Sequence, residues 1–120
     1  MRGLTILVVG DDPARLGAGL ALAAAQAAAG GAARLFLHEA AVALLRPPIA
    51  APDDGARAAA GLPTLAGMME EALGLGVRVI ACQTGLALAG LTLERLDSRI
   101  EGGGLIAVMA ALGDDRLVTV

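Results

Sequence analysis

The sequence has no lysine, no tryptophan and no tyrosine, and it has one phenylalanine, one cysteine and one histidine: Phe36, Cys82 and His38. Each shortage excludes something. A single cysteine cannot form a disulfide within the chain. One cysteine and one histidine are too few good ligands for zinc, so no metal is expected, and nothing in the chain asks for an organic cofactor. All nine basic residues are arginines, spread from Arg2 to Arg116 without a cluster and without stacking aromatics. A nucleic-acid partner is therefore not expected. Without lysine there is no phosphate loop, and the glycines do not supply a dinucleotide fingerprint, because "GAGLAL" falls inside a helix. "EGGGLIAVMA" does open one, and its Gly102-Gly103-Gly104 run reads as a tight turn.

What remains is mostly small and apolar. The chain has 120 residues, is 57% hydrophobic through alanine and leucine, holds 17 glycines and carries a formal net charge of −3. That length suits one domain, residues 1–120. A core of alanines buries little area per residue, at ~25 cal/mol per Å², so subunit contacts are expected to bury more. The stretch "LGAGLALAAAQAAAGGAA" is uncharged, but its alanines, glycines and Gln26 suit a buried helix better than a membrane span. No membrane association is expected. The start "MRGLTILVVG" lacks a signal-peptide pattern, which points to the reducing cytoplasm.

Strand and helix patterns alternate along the chain. "LTILVV", residues 4 to 9, is continuous and β-branched, as in a strand buried on both faces. Asp12 and Pro13 cap and open a helix to about Ala29, which Gly30-Gly31 end. "ARLFLHE" reads as a second strand and "AAVALL" as a helical turn or two, stopped by Pro47-Pro48. The segment from Arg46 to Leu62 reads as a long mobile connection with an exposed turn at Asp53-Asp54-Gly55. A helix follows Pro63, with Leu65, Met68, Met69, Ala72 and Leu73 on one face and Glu70 and Glu71 outward. "VRVIA" is a third strand ending at Cys82, and a short helix starts near Thr84. "LTLERLDS" reads as helical, "RIE" as a brief strand, "LIAVMAAL" as a helix and "RLVTV" as the closing strand. The pattern predicts an α/β fold: a three-layer α/β/α sandwich with a mainly parallel sheet of about five strands.

In such sheets chemistry gathers at the carboxyl ends of the strands, which makes Cys82 the first candidate. A helix start beyond it offers unpaired N–H groups and a positive dipole end, favouring thiolate. The expectation is a partly accessible thiol. The competing reading is a small buried core residue. His38 ends the second strand and is the second candidate, able to hold or deprotonate the thiol if the two strands lie side by side. Glu39 follows the same logic. Asp11 and Asp12 sit where response-regulator receiver domains carry magnesium ligands. Such domains also need a phosphoacceptor aspartate ending a central strand and a lysine. Asp53 and Asp54 lie in loop sequence and there is no lysine, so the acidic pair reads as a helix cap and a turn. Glu70-Glu71 and Asp114-Asp115 read as solvated faces and turns.

Taken in order, "ILVV" with its alanine-rich helix, "LFLHEAAVALL", the proline-rich connection, "TLAGMMEEAL", "VRVIACQTGLALAGL" and "DDRLVTV" resemble the DsrE/DsrF-like proteins, small α/β subunits of sulfur-relay systems. The most specific piece is the strand ending on Cys82 with Gly90-Leu91 downstream. The resemblance implies a sulfur carrier or sulfurtransferase in which Cys82 accepts sulfane sulfur as a persulfide and passes it on. It also implies a homo-oligomer, a trimer or paired trimers, with protein sulfur donors and acceptors as partners. His38 and the acidic residues gain nothing from it. "HEAA" after the second strand departs from the pattern expected there. Two other functions use the same residues: a non-catalytic binding or scaffold subunit with Cys82 inert, and a thiol redox sensor whose oxidised form would be resolved by another molecule.

Overall fold

Five runs of extended backbone assemble into one parallel sheet. A computed structural model describes residues 1–120, and its strands are β1 (Leu4–Val9), β2 (Ala33–His38), β3 (Arg78–Cys82), β4 (Glu101–Gly103) and β5 (Arg116–Thr119). Their order is β4-β3-β2-β1-β5 and every pairing is parallel. β2 is central and its first five residues are buried, which is why "ARLFL" reads as a continuous apolar run around one arginine. β5 is mostly exposed.

Five α-helices connect the strands: α1 (Pro13–Ala28), α2 (Asp54–Ala59), α3 (Leu65–Gly74), α4 (Gln83–Ala89) and α5 (Leu105–Ala110). A 3-10 segment, Glu39–Leu45, follows β2 directly, and a shorter one spans Leu93–Arg95. Asp12 caps α1 by accepting from the Ala14 N–H at 2.9 Å, with Pro13 in the first turn. Thr64 caps α3 by accepting from the Gly67 N–H at 3.2 Å. In α3, Leu65, Met69, Ala72 and Leu73 are buried while Glu70 and Glu71 face out, as their spacing dictates. Gly19 brings α1 against Leu35 and Val8, whereas Arg34, pointing the other way, bonds to Val108 of α5. The two helices therefore lie on opposite faces of the sheet.

Four expectations need correction. The connection after Arg46 is not without regular structure, because it contains α2. Asp54 is not a simple exposed turn residue: its carboxylate accepts from the N–H groups of Leu65 at 3.0 Å and Ala51 at 2.9 Å. Those bonds, led by the one from Leu65, hold its carboxyl below the usual range. The segment read as helical in "LTLERLDS" forms only the 3-10 turn Leu93–Arg95. Gly102 and Gly103 are not a turn but β4 residues, paired with Ala81 and Cys82. Glycine fits at Gly103 because a Cβ there would come within 2.9 Å of the Ile80 Cγ2. No helix is long and apolar enough to cross a membrane.

Candidate functional site

The sheet register assembles the site at the carboxyl edge. Val9 is paired with His38, and Cys82 with Gly103. β2 and β3 are in register through Leu37 and Ala81, so one further residue sets His38 level with Cys82. Alternation puts both on the α5 face of the sheet, in line with Phe36 and Ile80. The His38 ring lies 6.3 Å from that of Phe36. The two sequence candidates are thus brought to neighbouring positions.

Cys82 is the last residue of β3 and the residue immediately before α4, with its side chain making no capping bond. It is 6% exposed and belongs to the apolar core. This corrects the expectation of a partly accessible thiol. β3 runs into α4 without a loop, and the 3-10 segment packs closely on α4 over this end of the sheet. Gly85 makes that approach feasible, since a Cβ there would collide with the Glu39 carbonyl oxygen and with Val42. Arg46, just past the 3-10 segment, donates to the carbonyl of Ala89 at 2.6 Å and ties the two elements together at their far ends.

His38 is half-buried. Its Nδ1 is sealed from solvent with no hydrogen-bond partner, and its Nε2 lies 4.0 Å from Glu39 Oε1. No other buried side-chain nitrogen or oxygen in the chain lacks a partner. Glu39 itself adopts φ +41, the only non-glycine residue in the left-handed region. Beside it, Asp11, Glu39, Gly85 and Leu88 border a cavity of about 240 Å³ that Cys82 does not line. Asp11 faces this edge, while Asp12 serves as the helix cap, as expected. No three His, Cys, Asp or Glu residues come together in a way that could hold a metal ion.

Two solved structures share this architecture over their whole length. The ychN protein of E. coli is 24% identical, covers 100% of both chains and superposes with a TM-score of 0.70. A protein of unknown function from Methanobacterium thermoautotrophicum, MTH1491, is 16% identical with the same coverage and a TM-score of 0.70. This chain shares their fold, a five-stranded parallel sheet flanked by helices. No protein-family model and no curated protein matches the sequence. At these identities the likeness carries the architecture and leaves chemistry to the residues of this chain.

Sequence reasoning missed one polar group on the same face. Arg34 is the only buried charged residue. Its Nε and Nη2 donate to Thr5 Oγ1 at 3.1 and 2.8 Å, and Thr5 in turn donates to Asp115 Oδ2 at 2.8 Å. Asp115 also lies 3.6 Å from Arg34 Nη2, so it is not the solvated turn residue expected of "GDDR". The signal was present in "ARLFLH": an arginine inside an apolar strand must have partners.

Proposed function

We propose that the chain is a sulfur carrier, accepting sulfane sulfur on Cys82 and handing it to a partner protein. The supporting observation is the register that sets Cys82 and His38 side by side at the carboxyl edge of β3 and β2. In the forward step, Cys82 thiolate attacks the outer sulfur of a donor persulfide, R–S–SH. The donor S–S bond breaks, R–S⁻ leaves, and Cys82–S–SH forms. A partner's thiolate then takes the terminal sulfur and returns Cys82 to thiolate. No net oxidant or reductant is consumed. His38 Nδ1 makes no hydrogen bond to the Cys82 sulfur in this structure, so its taking the thiol proton requires the two side chains to close on each other.

A buried thiol must be uncovered for this to occur, and the covering element is suited to move. Runs of 3-10 helix beyond three or four residues are uncommon because their hydrogen bonds are poorly aligned. Here the run is seven residues long and starts at Glu39, whose left-handed backbone is strained. Local opening of such a segment costs less than global unfolding.

The 6% exposure of Cys82 favours a second reading, a non-catalytic subunit of the same fold with an inert core cysteine. Alkylation of the native protein separates the two. A carrier thiol reacts through local opening, well before global unfolding. An inert thiol stays unmodified until the chain unfolds in denaturant, and that outcome removes the sulfur-transfer proposal.

A further inference from the structure

The Arg34 guanidinium is bonded through Nε and Nη2 only. Nε and Nη2 are engaged by Thr5, and Nη2 also by the Val108 carbonyl at 3.3 Å. Nη1 donates to no protein atom. It is not sealed either, because the one sealed side-chain polar atom without a partner is His38 Nδ1. The Arg34 side chain is 10% exposed, and that opening is onto a cavity of about 240 Å³ between β3, β4 and α5. Nη1 therefore offers charged N–H donors to whatever enters this half-open cavity.

The rest of the cavity suits an acceptor. Arg78 is the register partner of Arg34 on β3 and lines the same space. It is held by Glu101 at 2.8 and 3.0 Å, but both side chains are about half exposed. Such a surface pair contributes little and opens easily. Gly103 and Ala107 keep the wall free of bulk. An ordered water occupies about 30 Å³ of liquid volume, so the space admits an anion of several heavy atoms.

We propose that this cavity binds a small oxyanion, a carboxylate or a sulfur oxyanion, on the free Nη1 group of Arg34 with Arg78 closing over it. The two N–H groups of Nη1 are both free to donate to acceptor oxygens, and a charged donor makes the stronger hydrogen bond. Arg34 and Arg78 lie two rows below Cys82 on the same face of the sheet, and although Gly103, the register partner of Cys82, lines the cavity, Cys82 does not, so binding there is independent of the sulfur-carrier reading.

Amide NMR titration of the full chain with sodium acetate, sulfate and thiosulfate, against sodium chloride at matched ionic strength, tests this. The expected result is a saturable one-site shift centred on Arg34, Gly103 and Ala107 with at least one oxyanion and none with chloride. Acetate alone would assign a carboxylate; sulfate or thiosulfate alone, a sulfur oxyanion. Ala107→Leu projects into the cavity from an exposed helix position and leaves the Thr5 and Asp115 bonds intact. It should abolish the saturable shift. Arg78→Gln, at a surface pair, should weaken it severalfold and serves alone if Ala107→Leu disturbs the fold. Linear shifts shared with chloride, or unaltered binding in the variants that remain folded, would overturn the proposal.

Discussion

Thr5, Arg34 and Asp115 show how much one buried charge asks of its neighbours. The Thr5 hydroxyl accepts twice from Arg34 and donates once to Asp115, so its capacity is filled. Thr5→Val keeps the shape and removes that hub, leaving Arg34 with buried donors unsatisfied. The expected loss is ~1–3 kcal/mol of stability, read as a lower urea midpoint at unchanged slope. A midpoint equal to the parent's would show that water replaces the hydroxyl. Asp97 behaves differently because it is exposed. Hydrogen bonds from the Arg99 side chain, then from its backbone N–H, lower its carboxyl from 3.8 to about 2. Arg99 also bridges to Glu70 on α3 at 2.5 Å. A carboxyl depressed in the folded state stabilises above its unfolded value and loses that contribution as pH falls through its folded value. Asp97→Asn should therefore melt slightly below the parent at neutral pH, with the gap closing between about pH 4 and pH 2. A gap as large at pH 2 as at neutral pH would contradict the assignment.

At the level of elements, the strand, helix and cap signals in the sequence were local, and they were readable for that reason. β1, β2 and β3 are continuous apolar runs, and Asp12-Pro13 and Pro63 mark helix starts within a few residues of themselves. The misreadings depended on distant partners. α2 was hidden because its first residue, Asp54, is fixed by the Leu65 N–H eleven residues on, which no local pattern displays. Gly102 and Gly103 have no side chains to show period-two alternation, so only their pairing with Ala81 and Cys82 makes them a strand. The burial of Cys82 likewise depends on the 3-10 segment packing on α4 at the end of β3, a contact between elements rather than a property of "VIACQTG". Two consequences are measurable. Asp54→Ala releases the N–H groups of Ala51 and Leu65, and limited proteolysis between Arg46 and Leu62 should become several times faster; an unchanged rate would mean the segment is held by other contacts. Gly85→Ala forces a methyl into Glu39 and Val42 and should cost ~1–3 kcal/mol, as overpacking does. It should also raise the alkylation rate of native Cys82 by displacing the 3-10 segment. A destabilised variant with an unchanged alkylation rate would show that this segment does not gate the thiol.

On the scale of the whole molecule, the α5 face of the sheet is under-covered. α5 has six residues, about 9 Å of helix, against a five-stranded sheet about 19 Å across. Leu117 is 43% exposed and Val9 39%, and register places both on this face; Ile106 on α5 is 89% exposed. Only 32 of 120 residues are buried within one chain, which agrees with the shortage of large side chains in the sequence. We propose that copies of the chain cover this face in a homo-oligomer, a trimer or paired trimers. Light scattering at micromolar concentration should give that mass, and Ile106→Glu should shift it toward monomer; a monomeric parent would end the proposal. Architecture was legible from alternation alone, whereas function rests on one thiol whose activity no pattern can certify. Intact mass of the native protein after incubation with a persulfide donor tests that thiol directly. The account predicts a gain of one sulfur atom per chain, lost on reduction and absent from a folded Cys82→Ser variant. A parent protein that gains no sulfur, or a Cys82→Ser variant that gains the same amount, would contradict it.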